Sequence, residues 1–279
     1  MAKKIKSINF FYRPGNGRAE AWEKKITAWL KKNFPAVGTT GNPQAVLVLG
    51  GDGTILEAAR KYQGSPTAIF GLNLGQVGFL AAARDEREFL PAIKKLVSGD
   101  YSLVDRTMIE TTVTRKNERV FRTYALNDVV IENPLGMVRI EADIAGSPFQ
   151  TIQGTGVLVA TATGSTAYNL SAHGPIVSPD IDCLIITEIL DHNIPTPSIV
   201  IKTDEKINFR IVSFRERGLL SVTKSSEKVE VMLVADGEAI FPLIRKDLVT
   251  VAVSPKSVRF AEIEKNYFIK SLREKFAFE

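Results

Sequence analysis

The stretch AVLVLGGDGTILEAARKY, residues 45–62, places a short apolar run, a glycine-rich turn and a helical pattern one after another. A continuous apolar run such as residues 45–49 is typical of a strand buried on both faces of a parallel sheet. The turn, residues 50–54, stands where that strand gives way to a predicted helix over residues 55–62. Because ligands bind at the carboxyl ends of strands in open α/β sheets, the turn is also the first candidate site.

The same alternation of strand and helix extends on both sides of this stretch. Strand-like apolar runs occupy residues 5–12 and 67–72, and apolar positions at helical spacing occupy residues 20–32 and 86–97. Asp85 is well placed to cap the second of these helices. The alternation predicts an α/β N-terminal domain with an open, mostly parallel sheet.

The pattern changes near Tyr101. From there to residue 259 the sequence has no long helical stripe, and short β-branched runs alternate with turn signals such as Lys116-Asn117 and Asp236-Gly237. This spacing predicts an all-β C-terminal domain, and Asp236-Gly237 is interpreted first as a hairpin turn. A polar, helical pattern returns near the end of the chain. The expected segments are residues 1–100, 101–259 and 260–279.

Composition restricts the class of protein. Of the 279 residues, 44% are hydrophobic and 24% charged, which is typical of a soluble globular protein. No apolar run is long enough for a membrane span, and the N-terminus shows no export signal. The net charge of +5 is scattered, so it fits an anionic small substrate better than nucleic acid. A single cysteine, Cys183, indicates a reducing compartment. We expect a cytoplasmic protein with neither membrane nor nucleic-acid partners.

The residue types of the glycine-rich turn suit phosphate chemistry. Gly50, Gly51 and Gly53 let the backbone turn sharply and approach a ligand closely, and the helix beginning near Thr54 directs free N–H groups at the same point. A carboxylate repels phosphate, so Asp52 is better suited to orient a hydroxyl group or to hold a metal ion. The alternative is a structural turn with Asp52 as a helix cap. The chain lacks a P-loop, which leaves this turn as the candidate for handling phosphate.

A second candidate, NLGQVGFL at residues 73–80, follows the next predicted strand. Neighbouring parallel strands end at the same edge of a sheet, so we expect Asn73, Gly75 and Phe79 to lie beside Asp52. Phe79 offers an aromatic face to a base, although an isolated phenylalanine is more often a core residue.

Two later segments also carry polar side chains. Asn127 and Asp128 precede an apolar strand, and their donors and acceptors suit a sugar or base edge, with a simple turn as the alternative. Residues 154–168, GTGVLVATATGSTAY, end in a run of threonine, serine and glycine before Tyr168. So many hydroxyl groups beside glycine favour an uncharged, polar pocket edge over a structural loop.

In this order the four motifs resemble those of the NAD kinase family. Its members typically carry G-G-D-G-T, N-x-G-x-x-G-F, an N-E or N-D pair and T-P-T-G-S-T-A-Y, and the resemblance continues to residues 236–238, covering most of the chain. The compact length and residues 187–189 are closer to the short bacterial branch. The resemblance implies an α/β domain, a β-rich domain and a C-terminal tail that returns to and packs on the first domain. It also implies a homodimer or homotetramer.

The resemblance further implies transfer of the γ-phosphoryl group of ATP, or of polyphosphate, to the 2′-hydroxyl of the adenosine ribose of NAD, giving NADP. Asp52 would orient that hydroxyl or accept its proton, as an exposed carboxylate already ionised at neutral pH. Mg²⁺ or another divalent cation would neutralise the phosphates, with no protein ligand assigned. The residues matching NAD-binding positions are Gly53, Phe79, Asn127, Asp128, Thr166, Ala167, Tyr168 and Ser171; those of the phosphate loop are Gly50, Gly51, Thr54, Asn73 and Gly75.

Several positions depart from the family pattern. Thr155 stands where the family usually has Asp, Ala162 replaces a proline, His173 replaces a glycine, and residues 190–198 align poorly. These changes concern the nicotinamide half of the substrate rather than the phosphoryl-transfer residues. Two alternatives remain: a lipid kinase of the diacylglycerol or sphingosine type, which shares G-G-D-G-T, and a non-catalytic NAD(P)-binding protein.

Overall fold

The computed structural model describes residues 3–75, 78–190, 196–216, 220–221, 228–264 and 266–276. The α-helices of this described part are α1 (Gly17–Asn33), α2 (Asp52–Tyr62), α3 (Phe89–Ser98), α4 (Tyr168–Ser171) and α5 (Tyr267–Phe276), and short 3₁₀ helices span Glu86–Glu88 and Thr163–Thr166. The strands are β1 (Ser7–Phe11), β2 (Gly38–Thr39), β3 (Ala45–Gly50), β4 (Ala68–Asn73), β5 (Ser102–Arg106), β6 (Ile109–Arg115), β7 (Glu118–Ala125), β8 (Asp128–Glu132), β9 (Val138–Ile144), β10 (Ser147–Gly154), β11 (Gly156–Thr161), β12 (Cys183–Ile189), β13 (Ile199–Lys202), β14 (Ile207–Phe214), β15 (Leu220–Ser221), β16 (Lys228–Val229), β17 (Val231–Ala235), β18 (Ala239–Leu243), β19 (Leu248–Val253) and β20 (Val258–Glu262).

The chain forms two compact units: Met1–Arg106 together with Lys256–Glu279, and Thr107–Pro255. In the described residues the first unit contains a six-stranded sheet with the order β2-β1-β3-β4-β20-β5. These strands pair in parallel, except that β5 runs antiparallel to β20. Every residue of β3 and β4 is buried, as expected for central parallel strands covered on both faces. The predicted open, mostly parallel α/β layer is confirmed.

Side-chain caps explain where two helices of this unit begin. The side chain of Asn16 accepts a hydrogen bond from the backbone N–H of Ala19 and caps α1. Asp85 accepts from the backbone N–H of Arg87 at 2.8 Å and caps the 3₁₀ turn that leads into α3. The end of α3 is formed by Gly99, whose φ of 85° lies in the left-handed region that favours glycine.

The strands β5 and β20 extend the first sheet, which moves the unit boundaries away from residues 100 and 259. The change of pattern near Tyr101 and the return of a polar pattern after residue 259 had assigned residues 101–106 and 256–259 to the all-β domain. Pairing of β20 with β4 and with β5 places them in the α/β unit instead, and Arg106 forms an ion pair there with Glu262. Local propensity identifies a strand but not the sheet that it joins.

The C-terminal helix α5 also lies in the first unit. The hydroxyl group of Tyr267 donates to the carbonyl oxygen of Ala81, and Arg84 donates to Tyr267, Ser271 and Glu274. The tail therefore returns to the N-terminal domain, as the resemblance implied.

The described residues of the second unit form two six-stranded antiparallel sheets, ordered β10-β9-β14-β19-β6-β7 and β13-β12-β11-β8-β17-β18. Apolar side chains from both sheets share one buried core, for example Ile140 and Phe209 from the first with Ile131 and Leu184 from the second. The unit is therefore a β-sandwich. The predicted all-β domain is confirmed, and the α-helix described in this unit, α4, has four residues.

Hairpin turns with positive φ at both central residues connect several of these strands. Lys116-Asn117, Ala145-Gly146 and Asp236-Gly237 have φ pairs of 50° and 67°, 54° and 79°, and 48° and 69°. Such turns match the right-handed twist of the paired strands. The interpretation of Asp236-Gly237 as a hairpin turn is confirmed.

Cys183 begins β12 and is buried as a free thiol. Across the described ranges, no helix combines the length and the apolar character required to cross a bilayer.

Candidate functional site

Asp52 is the first residue of α2, at the carboxyl end of β3. The N-cap of the helix is Gly51, and within the described residues no side chain makes a capping bond there. The carboxylate of Asp52 instead accepts a hydrogen bond at 3.0 Å from the backbone N–H of Phe79, 27 residues away. The alternative interpretation of Asp52 as a helix cap is therefore wrong.

The structure brings the first two motifs together in the way that parallel pairing predicts. Gly50 and Asn73 are paired residues of β3 and β4, and the backbone N–H of Leu74 donates to the carbonyl oxygen of Gly50 at 3.2 Å. The side chain of Asn73 accepts a bond from the N–H of Gly75 at 2.8 Å and shapes the turn that follows. The ends of β3 and β4, which carry the predicted phosphate-loop residues Gly50 and Asn73, therefore lie side by side.

Glycine is required where this loop meets the carboxylate. A Cβ atom added to Gly78 would overlap the Asp52 carboxylate, and one added to Gly50 would lie 2.7 Å from the Cβ of Thr54. Gly78 was not among the predicted site residues, although it lies inside the quoted motif. Gly78 lets the backbone of its loop lie against the carboxylate of Asp52, a residue that is distant in sequence.

Burial determines the electrostatics of Asp52. Desolvation raises the pKa of its carboxyl group above 3.8, and this rise is opposed by the backbone amides of Phe79 and Leu80 and by the positive charges of Lys275 and Arg84. Its Oδ1 atom is buried and has no hydrogen-bond partner among the residues that the structure describes. Asp52 is therefore not the exposed aspartate with an ordinary pKa that the sequence suggested, because residues 78–80 lie against its carboxylate.

Helix α5 contributes side chains to this region that were not predicted from the sequence. The guanidinium group of Arg84 stacks 4.6 Å from the centroid of the Tyr267 ring. The ammonium group of Lys275 lies 4.6 Å from the centroid of the Phe79 ring, and the ring of Phe276 is 6.4 Å from that of Phe79. Only a polar helical pattern ending in aromatic residues hinted at these contacts.

In the second unit, Asn127 and Asp128 are held by a residue from the β17–β18 hairpin. The carboxylate of Asp236 accepts from the backbone N–H groups of Leu126, Asn127 and Asp128 at 2.9, 2.8 and 3.3 Å. Asp236 matched a family motif but was left out of the predicted site as a turn residue. It forms the turn and also fixes the backbone of the Asn127–Asp128 pair.

Asp128 is a buried carboxyl group with a strongly shifted pKa. Burial, and secondarily the charge of Asp236, raise the pKa of Asp128 from 3.8 to about 7, while a hydrogen bond from the backbone of Tyr168 opposes the rise. Beside it, the Oδ1 atom of Asn127 is buried and lacks a hydrogen-bond partner within the described part of the chain. An amide oxygen and a carboxyl group that titrates near neutrality can therefore both bind a polar ligand.

Part of the hydroxyl-rich segment is structural, contrary to the interpretation of residues 154–168 as a pocket edge. Thr161 donates to the carbonyl oxygen of Leu126 at 2.6 Å, and Ser165 donates to that of Val177 at 3.0 Å. A Cβ on Gly164 would lie 2.7 Å from the Cα of Asn127. The hydroxyl groups of Thr161 and Ser165 therefore satisfy backbone carbonyl oxygens instead of facing a ligand.

The end of this segment borders an open cavity. Tyr168 and Ser171 line a cavity of about 520 Å³ together with His173, Thr187 and Glu188. Thr166 is buried and Ala167 half-buried. Of the residues predicted from this motif, Tyr168 and Ser171 are therefore the ones that face open space.

The departures from the family pattern have local explanations. Ala162 has a φ of −56°, which proline would also adopt, and His173 has a φ of 63°, where glycine carries less strain. Thr155 joins β10 to β11. Its carbonyl oxygen accepts a hydrogen bond from the N–H of Asn133, and its N–H donates to the carbonyl oxygen of Ile189. Of residues 190–198, residues 191–195 lie outside the described residues.

The described chain offers no cluster of three or more His, Cys, Asp or Glu side chains that could hold a metal ion. A divalent cation bound through substrate phosphates needs only one or two carboxylates from a protein. The orphaned Oδ1 atom of Asp52 is a carboxylate oxygen of that kind, so the residues present fit such an ion.

The α/β layer, the β-sandwich and a half-buried aspartate in a G-G-D-G-T motif at a strand end define the class of phosphotransferases that carry this motif. The description "ATP-NAD kinase N-terminal domain" matches residues 10–101, and "ATP-NAD kinase C-terminal domain" matches residues 126–263. The chain therefore belongs to the NAD kinase family.

Individual relatives agree with this assignment. The NAD kinase of Symbiobacterium thermophilum is 35% identical over 239 residues, covering 85% of this chain and 80% of that protein. The NAD kinase of Caldanaerobacter subterraneus subsp. tengcongensis is 34% identical over 232 residues, covering 82% and 77%. These matches give no support to the lipid kinase or to the non-catalytic alternative.

Solved structures share the fold. Yeast NADH kinase complexed with NADH superposes with a TM-score of 0.83 at 22% identity, covering 99% of this chain and 89% of that one. An NAD kinase from Archaeoglobus fulgidus in complex with ATP gives a TM-score of 0.72 at 23% identity, covering 97% of each chain.

Proposed function

We propose that this chain, an NAD-phosphorylating enzyme by its family, transfers the γ-phosphoryl group of ATP to the 2′-hydroxyl of the adenosine ribose of NAD. The observation that carries the mechanism is the half-buried Asp52 side chain at the carboxyl end of β3. One carboxylate oxygen accepts from the N–H of Phe79 at 3.0 Å, and the other is buried and unpartnered among the described residues. That free oxygen is an acceptor for a hydroxyl proton.

In the proposed step, the 2′-oxygen attacks the γ-phosphorus, the bond from that phosphorus to the β-phosphate oxygen breaks, and ADP leaves. The hydroxyl proton passes to Asp52. Phosphoryl transfer depends mainly on positioning and charge stabilisation, so the rigid hold of Phe79 on the carboxylate is the main contribution. The raised pKa of Asp52 makes its ionised form a stronger base than an ordinary aspartate.

Of the phosphate-loop residues, Gly50 ends β3, Gly51 is the N-cap of α2, and Gly53 and Thr54 lie in its first turn. Free backbone N–H groups at this helix N-terminus suit an anionic ligand. In the proposal, Asn73 and Gly75 shape the neighbouring turn. The charge of a divalent cation such as Mg²⁺ would neutralise the phosphates when bound, with Asp52 as the candidate protein ligand. The donor is ATP, with inorganic polyphosphate as the alternative that an assay must compare.

The residues that we propose to bind NAD are the following, taken unit by unit. Phe79 offers its ring to a base, and Asn127 and Asp128 offer an amide oxygen and a carboxyl group to hydroxyl groups of a sugar. Tyr168 and Ser171 face the cavity of the second unit, while Thr166 and Ala167 shape its approach. We further propose that the enzyme is a homodimer or homotetramer and acts in the cytoplasm in NADP biosynthesis.

The test is to incubate the purified protein with NAD or NADH, Mg²⁺, and either ATP or polyphosphate, and to quantify NADP(H) by chromatography. We expect NADP from at least one donor. In the Asp52→Asn variant, turnover should fall by about 10² to 10⁴, the usual contribution of a positioned general base.

Asp105→Asn is the matched control, because it makes the same change at an exposed carboxylate of the same unit that pairs with Arg259. It should keep turnover close to that of the unmodified protein. Absence of NADP(H) with every donor and acceptor would contradict the function, whereas near-normal turnover of Asp52→Asn would contradict only the role of Asp52.

A further inference from the structure

Transfer of a phosphoryl group beside Asp52 is favoured by positive charge from the protein in addition to the charge of a divalent cation. The donor's phosphates are anionic and so is the carboxylate that faces them, and charge on the transferring group must be stabilised in the transition state. The chain has no P-loop lysine, and residues 50–54 supply backbone N–H groups but no cationic side chain. A cationic side chain that contacts the donor phosphates must therefore come from outside the G-G-D-G-T turn.

Two basic side chains act on Asp52 electrostatically, Arg84 and Lys275. Arg84 is committed to packing, because its side chain is only 12% exposed and its nitrogen atoms donate to Tyr267, Ser271 and Glu274. A guanidinium group engaged in this way attaches the 78–84 loop to α5. It cannot turn toward a ligand without losing those bonds.

Lys275 is in a different position. It is exposed on the last turn of α5, and its Nζ atom lies 4.6 Å from the centroid of the Phe79 ring. The backbone N–H of the same Phe79 donates to Asp52, so the ammonium group is held over the residue that positions the carboxylate. Within the described part of the chain, no hydrogen-bond acceptor is bound to this ammonium group, and an exposed cation–π contact is weak enough to be exchanged for a phosphate.

A simpler explanation would be that Lys275 only complements the dipole at the C-terminal end of α5. Arg273 is in the same last turn and supplies that complement equally well. Two residues apart on a helix, the side chains point in nearly opposite directions. The placement of Lys275 over Phe79 is therefore not explained by the helix dipole, and Arg273 provides a matched control.

We propose that Lys275 is a donor-binding residue, whose ammonium group on the last turn of α5 binds the polyphosphate chain of the donor beside Asp52. This inference rests on the proposed function and extends it, since it assigns the C-terminal helix a direct part in the reaction. In the free enzyme the ammonium group rests over Phe79, and with donor present it contacts phosphate oxygen.

The test compares Lys275→Met, Lys275→Gln and Lys275→Arg with Arg273→Met, using ATP, NAD and Mg²⁺ and measuring kcat and both KM values. For Lys275→Met and Lys275→Gln we expect kcat/KM for ATP to fall by about 10- to 100-fold, which corresponds to loss of one charge-assisted hydrogen bond. The KM for NAD should stay within about twofold. Lys275→Arg should recover most of the activity, and Arg273→Met should resemble the unmodified enzyme.

Several results would overturn the inference. They are unchanged kcat/KM for ATP in both charge-removing variants, an equal loss in Arg273→Met, or a loss confined to the KM for NAD. If the unmodified enzyme forms NADP and these variants match it, only the role of Lys275 fails. If the unmodified enzyme forms no NADP with either donor, the proposed function itself fails.

Discussion

The buried carboxyl group of Asp128 should make the stability of the protein depend on pH in a way that Asp128→Asn abolishes. Asp128 is 5% exposed, and its pKa rises to about 7 because of burial and of the neighbouring Asp236. An asparagine has nearly the same shape and can still accept the backbone hydrogen bond of Tyr168. The substitution therefore removes the charge and leaves the packing in place.

The magnitude follows from the difference between the folded and unfolded pKa. An unfolded aspartate titrates near 3.9, and a pKa of about 7 in the folded state corresponds to about 4 kcal/mol, at 1.36 kcal/mol for each pKa unit. Below about pH 4 both states hold the proton. Between about pH 4 and 7 the unfolded state has lost the proton that the folded state keeps, so the free energy of unfolding falls as pH rises. Above about pH 7 the loss is complete.

The assay is urea-induced unfolding, followed by far-UV circular dichroism from about pH 4 to 8, for the unmodified protein and Asp128→Asn. The unfolding free energy of Asp128→Asn minus that of the unmodified protein should increase by up to about 4 kcal/mol as the pH rises across this range. Asp143→Asn is the control, because Asp143 is a carboxylate of the same unit that accepts a bond from Asn208. A difference between Asp128→Asn and the unmodified protein that is constant over the range would refute the reasoning.

Two further substitutions test contacts between segments that are distant in sequence. Gly78→Ala adds a Cβ that overlaps the Asp52 carboxylate, so kcat should fall by about 10- to 100-fold as the carboxylate is displaced from its catalytic position, and an unchanged kcat would show that the carboxylate tolerates displacement. Asp236→Ala leaves the N–H groups of Leu126 and Asn127 without their acceptor. Each buried, unsatisfied donor costs about 1–3 kcal/mol, so urea unfolding should show a loss of about 2–6 kcal/mol together with a higher KM for NAD. A loss below about 1 kcal/mol would contradict the assigned role of Asp236.

The local pattern of the sequence was sufficient for most of the α/β unit. The apolar runs that became β3 and β4 lie at the centre of the sheet, and the turn between β3 and α2 is where the pattern predicted it. These predictions succeeded because burial of a central parallel strand imposes a continuous apolar run, which is visible without any partner. The approach of Asn73 to Gly50 was predicted from a second rule, that neighbouring parallel strands end at the same edge of a sheet.

Predictions that depended on the identity of a partner were less complete. The pattern placed residues 101–106 and 256–259 in the all-β domain, whereas β5 and β20 belong to the sheet of the first unit, because a local pattern does not specify which sheet a segment joins. The hydroxyl groups of Thr161 and Ser165 were interpreted as ligand-facing, whereas they satisfy the carbonyl oxygens of Leu126 and Val177. A residue type alone does not reveal whether its hydrogen bond is already used within the protein.

The sequence by itself determined the order of the elements, the G-G-D-G-T turn with Asp52 at a strand end, and the family of the chain. Only the tertiary structure decided that Phe79 binds the half-buried carboxylate of Asp52, that Asp236 holds Asn127, and that Arg84 joins the 78–84 loop to Tyr267. Asp52 and Phe79 are 27 positions apart in the sequence, Asp236 and Asn127 are 109 apart, and Arg84 and Tyr267 are 183 apart. Periodicity and turn chemistry act over a few residues, while the pKa of a carboxyl group depends on all the dipoles, charges and apolar atoms that the fold brings around it.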